Sequence, residues 1–192
     1  THPLYQAFGQ YAELYKQHYA LRHGVQAERY AEDGGLYAFS RFDLEDPVEY
    51  LAVFNNDEVA RDISLAATSK KYRYLAGGYG KVKAKDGTLS LTVPALDFVI
   101  LKAKKAMDTA PVSSFSIAGL EEGQVVAGRV GMDLVVDELE GQAIAGYQAQ
   151  FELSVNGGEF APLATDNTAP YRLFWDTSAY EDGTEVTIQV TL

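Results

Sequence analysis

The period of the hydrophobic pattern changes at Gly24, and this change constrains the fold more than any other feature. Before it, apolar residues recur three or four positions apart, which predicts one helix over residues 1–24. Pro3 suits its first turn and Thr1 its cap. After Gly24, apolar and polar residues alternate in short runs, which is typical of β-strands. The chain is therefore predicted to be mainly β, with one N-terminal helix followed by two antiparallel β-sandwiches.

The predicted helix is apolar over an unusually wide arc. One stripe repeats at spacings of 4, 3, 4 and 4 and a second at a spacing of 7: Leu4, Phe8, Tyr11, Tyr15 and Tyr19, then Ala7, Leu14 and Leu21. One sheet does not normally cover so wide a face. The helix is expected to pack on two neighbours, one of them outside this chain.

The first sandwich is predicted to contain seven or eight short strands and the second sandwich seven, separated by turn-forming residues. The first set lies at residues 25–30, 35–42, 48–55, 59–67, 81–84, 88–93 and 98–103. The second set lies at residues 115–118, 124–127, 132–136, 144–155, 159–163, 171–175 and 185–191. Asp86-Gly87 between two alternating runs predicts a hairpin.

Charge is distributed unevenly, and its shift indicates a domain boundary. Residues 1–108 hold 14 basic and 14 acidic side chains, so the formal charge of −11 lies entirely beyond them. We place a first sandwich at residues 25–104, a linker at 105–111 and a second sandwich at 112–192. The excess of acidic groups excludes nucleic acid as a partner, because phosphates need cations.

Two compositional features narrow the chemistry further. The chain has no cysteine, which excludes disulfides, thiolate metal sites and cysteine nucleophiles. No apolar run approaches the roughly 20 residues that a membrane-spanning helix needs, so no membrane span is expected.

Three segments in order resemble one enzyme family. Residues 2–24 (HPLYQAFGQYAELYKQHYALRHG) look like the last barrel helix of the α-amylase family of glycoside hydrolases. Residues 36–41 (LYAFSR) with residues 49–56 (EYLAVFNN) resemble a strand pair of that family's C-terminal β-domain, and residues 93–102 (VPALDFVILK) resemble its closing strand. The resemblance covers roughly residues 2–103.

The remaining chain resembles another kind of module. Residues 144–158 with the turn Asn156-Gly157-Gly158, residues 169–178 (APYRLFWDTS) and residues 182–184 (DGT) are similar to immunoglobulin-like modules of bacterial extracellular glycosidases. Such a pattern indicates a fold more than a function.

The resemblance implies a non-catalytic, C-terminal fragment of a secreted enzyme that acts on α-glucan. The family's catalytic carboxylates would all precede Thr1, so no catalytic residue is assigned here. The fragment would stabilise its own catalytic barrel and act as an accessory or spacer module, outside the cell or in the periplasm. No cofactor is expected in the fragment, and calcium use by the parent enzyme is left open.

Tyrosines are the candidate ligand-binding residues. Tyr72, Tyr74 and Tyr79 lie on or beside the glycine-rich segment 77–80, and exposed tyrosine rings stack on sugars. These three are therefore candidates for binding α-glucan. The alternative is that Tyr72 and Tyr74 lie on one face of a short strand and pack in the protein, and this alternative is favoured. Trp175 is interpreted as a core residue.

No metal site is predicted. His18 and His23 are five residues apart, a spacing that does not place two ligands on one helix face. The acidic residues near position 135 lack the order of a calcium loop, so solubility explains them better.

Two alternatives to the scaffold role remain open. One is a carbohydrate-binding module that grips starch or another α-glucan, and the weaker one is an extracellular adhesion or interaction protein. If a barrel is missing, the helix leaves an apolar patch, and we expect the fragment to self-associate through it.

Overall fold

The computed structural model describes residues 2–140, 142 and 144–192, and its regular structure is mainly β. The chain divides into two units, Thr1–Asp108 (unit 1) and Thr109–Leu192 (unit 2). Each unit has its own hydrophobic core. The predicted fold class, one N-terminal helical segment followed by two antiparallel β-sandwiches, is confirmed.

The N-terminal helix is broken at His18. Helix α1 runs over Pro3–Gln17 and the short helix α2 over Tyr19–His23, with an extended residue between them (φ −124°). The predicted cap Thr1 lies outside the described residues, and the ring nitrogen Nδ1 of His2 accepts a hydrogen bond from Leu4 N (3.2 Å). In the described part of the chain, no helix is long and apolar enough to cross a bilayer.

Gly24 ends the helical segment through close packing. Its φ is −66°, so the left-handed conformation common at helix ends is not used. A Cβ atom at this position would lie 2.5 Å from the carbonyl oxygen of Ala20 and 2.6 Å from that of Phe42. Only glycine lets the chain pass between these two oxygens before it enters the first strand.

Unit 1 is built from eight strands. They are β1 (Val25–Ala31), β2 (Leu36–Phe42), β3 (Tyr50–Asn55), β4 (Arg61–Ala66), β5 (Lys71–Ala76), β6 (Lys81–Lys83), β7 (Thr88–Val93) and β8 (Phe98–Ala103). Six form one antiparallel sheet in the order β1-β2-β3-β8-β5-β6, and β4 pairs with β7 in a second sheet. Strand β5 has no range in the predicted set, but it agrees with the short strand on which the packing alternative places Tyr72 and Tyr74. Asp86 and Gly87 take positive φ (49° and 75°) in a turn before β7, but β6 pairs with β5 and β7 with β4, so the predicted hairpin between β6 and β7 is wrong.

The core of unit 1 lies between the two sheets. Alternate residues of the central strands point inward, so Leu51 faces Leu101 and Val53 faces Val99 across the β3–β8 pair. Ile63 and Leu91 close the core from the two-stranded sheet. The other face of the six-stranded sheet therefore remains available to the helical segment.

Unit 2 contains two three-stranded antiparallel sheets. The strands are β9 (Ser116–Ala118), β10 (Arg129–Val135), β11 (Ala149–Val155), β12 (Ala161–Asp166), β13 (Arg172–Asp176) and β14 (Val186–Thr191). The sheet orders are β13-β10-β9 and β12-β11-β14. Their inner faces share a core that includes Phe151, Tyr171 and Trp175, which confirms the interpretation of the single tryptophan as a core residue.

One predicted strand of unit 2 is wrong, and another is shorter than predicted. Residues 124–127 form a loop, and Val125 is 96% exposed. This segment is bracketed by Gly123 and Gly128, both at positive φ, which turn the chain at each end. The strand predicted over 144–155 begins only at Ala149, because Gly146 has a φ of 75° that a continuous strand does not allow.

Candidate functional site

The inward side of the helical segment is anchored on the outer face of the six-stranded sheet. Tyr11 packs on Phe98, with ring centroids 5.4 Å apart. Leu14 packs against a small buried cluster formed by Ala20, Leu21 and Tyr50. This arrangement fixes which side of α1 is used within unit 1 and which sides are left free.

His18 lies at the break between the two helices, and its side chain contacts the sheet. Its Nδ1 atom lies 3.2 Å from the hydroxyl oxygen of Tyr50, and the two rings are in contact. Burial lowers the pKa of His18 below its usual value, and the charges of Lys102 and Arg73 lower it further. These effects favour the neutral form of the ring, which suits a packing role.

Another side of α1, distinct from the inward side that packs on the sheet, is apolar and exposed. Phe8 has 67% of its surface accessible to solvent. The other large exposed residues of the helical segment are Leu4, Tyr5, Tyr11, Tyr15 and Tyr19, of which Tyr11 also contacts Phe98. Leu4, Phe8 and Tyr15 follow one another at spacings of 4 and 7 within α1, so they form one row along this helix, which we call the apolar flank.

The sheet beside the helix continues this surface with aromatic rings. Phe39 stacks on Phe54 and Phe54 on Phe98, with centroid distances of 6.0 and 5.5 Å. These three residues belong to neighbouring strands of the outer face, and Phe54 is partly exposed. The apolar flank and this aromatic row form an extended apolar surface on unit 1 of the kind that marks an interaction site.

The three candidate tyrosines lie in different environments. Tyr72 is 1% exposed and belongs to the core of unit 1, so its ring has no free face for a sugar. Tyr74 is partly buried against the same core, and a Cβ atom at Gly78 would lie 2.5 Å from its ring. Tyr79 is 99% exposed in the loop between β5 and β6. The favoured packing alternative fits Tyr72 and Tyr74, and Tyr79 remains the candidate with an accessible ring.

Tyr72 belongs to a buried polar cluster that sequence analysis missed. Its hydroxyl donates a hydrogen bond to Oε2 of Glu49 (2.9 Å) and accepts bonds from the backbone N–H groups of Thr68 and Ser69 (2.9 and 3.1 Å). Burial raises the pKa of Tyr72 to about 12, and the charge of Glu49 acts in the same direction. The phenol therefore stays protonated and acts as a hydrogen-bond donor.

Glu49 is the centre of this cluster. Its Oε1 atom accepts hydrogen bonds from the Arg29 guanidinium and the Ser40 hydroxyl, and its Oε2 atom also accepts one from the Thr68 hydroxyl. The side chains of Arg29 and Glu49 are 2% and 1% exposed. A carboxylate with both oxygens occupied and no solvent access is suited to holding strands together, and not to acid–base catalysis.

Metal ligands are not gathered in the described residues. Among them, no group of three or more histidine, aspartate or glutamate side chains is placed to hold an ion. His2, His18 and His23 occupy the cap of α1, the helix break and the end of α2.

Comparison with known proteins relates the chain to the α-amylase family. It is 35% identical over 175 residues to an alpha-amylase of Streptomyces lividans, a match that covers 89% of this chain and 18% of that protein. The chain thus spans about a fifth of the length of this relative. No family model matches the chain.

Two solved structures share a partial likeness with the chain. A debranching enzyme from Nostoc punctiforme is 24% identical with a TM-score of 0.42, over 48% of this chain and 20% of its own. An Anoxybacillus alpha-amylase is 22% identical with a TM-score of 0.42, over 51% of this chain and 22% of its own.

Proposed function

We propose that this chain is a non-catalytic accessory region of an α-glucan-acting glycoside hydrolase of the α-amylase type. The observation that carries the proposal is the apolar flank of α1, a row of exposed large side chains on a helix whose inward side is already packed. A folded protein rarely leaves such a row open to water. The catalytic barrel of the parent enzyme is the partner that would cover it.

The match to a much longer alpha-amylase supports this role. The relative has more than four-fifths of its length outside the matched region, which is ample for a catalytic domain. In the proposed arrangement unit 1 stabilises the barrel through α1 and the aromatic row. Unit 2 acts as an immunoglobulin-like spacer, and the whole enzyme works outside the cell or in the periplasm.

The isolated chain is expected to self-associate through the apolar flank. Burial of Phe8 and its neighbours in a second copy removes apolar surface from water at roughly 25 cal/mol per Å². Light scattering at increasing protein concentration should report a rising mean mass, and Phe8→Asp should lower it towards that of a monomer.

Val59→Asp provides the matched control for this experiment. Val59 is also an exposed apolar residue of unit 1, but it lies outside the helical segment. Its substitution should leave the mass unchanged. If the unsubstituted chain stays monomeric at high concentration, the proposed docking role is contradicted. If the unsubstituted chain releases reducing ends from soluble starch, the proposed non-catalytic role is contradicted.

A carbohydrate-binding role is the second candidate, and full exposure of the Tyr79 ring favours it. Starch in a native gel should retard the chain, and Tyr79→Ala should reduce the retardation, because stacking on an aromatic ring is lost. Tyr30→Ala, which removes another exposed tyrosine of unit 1, is the control. Equal retardation of the parent chain and Tyr79→Ala would exclude Tyr79 from the site.

A further inference from the structure

One side of α1 carries a row of polar side chains. Gln6, Gln10, Glu13 and Gln17 follow one another at spacings of 4, 3 and 4, so they share one helix face. At 100° per residue, this row lies about 180° around the helix axis from the apolar flank. A barrel that covers the apolar flank therefore leaves the polar row open.

These side chains line an open groove of about 800 Å³ between the helix and strand β5. Leu14 and Leu75 supply its apolar lining. Leu75 lies at the bulge of β5, which the chain leaves through the loop that carries Tyr79. The groove thus combines polar groups from the helix with apolar contacts from the helix and the sheet.

The polar groups of the groove are available to a ligand. Among the hydrogen bonds of the described residues, none uses the side chain of Gln6 or Gln10. Gln17 donates to Oε1 of Glu13 (3.0 Å), which leaves the amide oxygen of Gln17 and the other carboxylate oxygen of Glu13 as acceptors. An amide both donates and accepts, which complements a hydroxyl group.

Gly9 gives an independent indication of a ligand. It lies within α1 and lines the groove, yet a Cβ atom added there would meet no atom of the protein within 4 Å. Glycine inside a helix is unfavourable relative to alanine, and no contact within the chain requires it here. A ligand that approaches the helix backbone closely would explain the absence of a side chain.

We propose that this groove binds a segment of a neutral oligosaccharide, an α-glucan in the proposed enzyme. The described residues that line the groove include no cation, which disfavours an anionic ligand. They offer both hydrogen-bonding groups and apolar contacts. The sugar hydroxyls bond to Gln6, Gln10 and the Glu13–Gln17 pair, and Leu75 contacts the apolar face of a ring. The inference rests on the proposed function for the identity of the sugar.

Calorimetric titration of the full 192-residue chain with maltoheptaose tests the proposal. The double variant Gln6→Ala/Gln10→Ala should bind about tenfold more weakly or worse, because two hydrogen-bonding side chains are removed. Gly9→Leu should weaken binding similarly by filling the groove, while its circular dichroism and melting temperature show that the helix is retained. Loss of binding without loss of structure distinguishes a ligand site from a merely solvated face.

Two controls match these variants. Ala12→Leu makes a comparable enlargement on another exposed side of α1, and Gln189→Ala removes an exposed glutamine of unit 2. Both should bind maltoheptaose like the parent chain. The proposal is overturned if the parent chain shows no binding at millimolar sugar, or if both groove variants bind normally. Since the titration does not involve the apolar flank, failure of the barrel-docking role would leave its result unaffected.

Discussion

Replacement of Glu49 by alanine is expected to lower the free energy of unfolding of unit 1 by about 3–5 kcal/mol. The carboxylate is the counter-charge of the buried Arg29 guanidinium. Without it, a cation remains in the interior unpaired, and the Tyr72 and Ser40 hydroxyls lose their acceptor. The cluster joins β1, β2 and β5 with the residue before β3, so its loss affects much of the six-stranded sheet.

Hydrogen exchange measured by peptide mass spectrometry is suited to this test, because it reports on unit 1 directly. Peptides that cover β2 and β3 should lose protection in Glu49→Ala. Glu58→Ala, at an exposed glutamate of the same unit, should change stability by no more than about 0.5 kcal/mol. A loss below about 1 kcal/mol for Glu49→Ala would contradict the inference that the pair is buried and that the substitution leaves Arg29 without its counter-charge.

A double variant separates the charge from the packing. Arg29→Met removes the cation that Glu49→Ala leaves unpaired, so the two substitutions together should destabilise by less than the sum of the single variants. Simple addition of the two losses would show that Arg29 and Glu49 act independently.

Much of the fold could be predicted because each element repeats one simple pattern. The stripe through Leu14 and Leu21 and the alternation of the central strands both reflect burial of one face. The break at His18 could not be predicted, because Tyr15 and Tyr19 keep the helical spacing across it. The bounds of strand β5 could not be predicted, because the strand contains Lys71 and Arg73 and lies beside the glycine-rich loop. Charges and glycine both weaken a strand pattern.

The alternation of inward and outward residues along each strand gives a partial signal of the buried Arg29–Glu49 pair. Leu51 and Val53 point inward, so Glu49, two residues earlier, lies on the same side of its strand. Arg29 shares the parity of the buried Ala27 in the same way. Two opposite charges on inward positions predict a pair, but pairing them requires the strand order, which the sequence pattern does not contain.

The surface features depended on tertiary structure in a different way. The tyrosines Tyr72, Tyr74 and Tyr79 are neighbours in sequence, yet they occupy the core, its margin and the solvent. The alternation of inward and outward residues along β5 explains the burial of Tyr72, and the exposure of Tyr79 follows from the loop geometry. The polar row of α1 is a candidate site because Leu75 of β5 lines the same groove, and the sequence pattern does not show that these residues are close.

Phe151→Ala is expected to destabilise unit 2 by about 3–5 kcal/mol, because it empties the centre of that core. Phe151 is 1% exposed on β11, the middle strand of its sheet, and faces Ala164 and Val190 on the two neighbouring strands. Trp175 is the only tryptophan of the chain and lies in the same core. Its fluorescence during urea denaturation therefore reports the unfolding of unit 2.

Phe160→Ala is the matched control, because Phe160 is a phenylalanine of the same unit whose side chain is substantially exposed. It should shift the urea midpoint little, since its burial contributes less. The Glu49→Ala variant should leave the tryptophan transition in place, because each unit has its own core and domains of this kind unfold as units. A tryptophan transition that moves with Glu49→Ala as far as with Phe151→Ala would show that the two units unfold as one, in conflict with a separate spacer module.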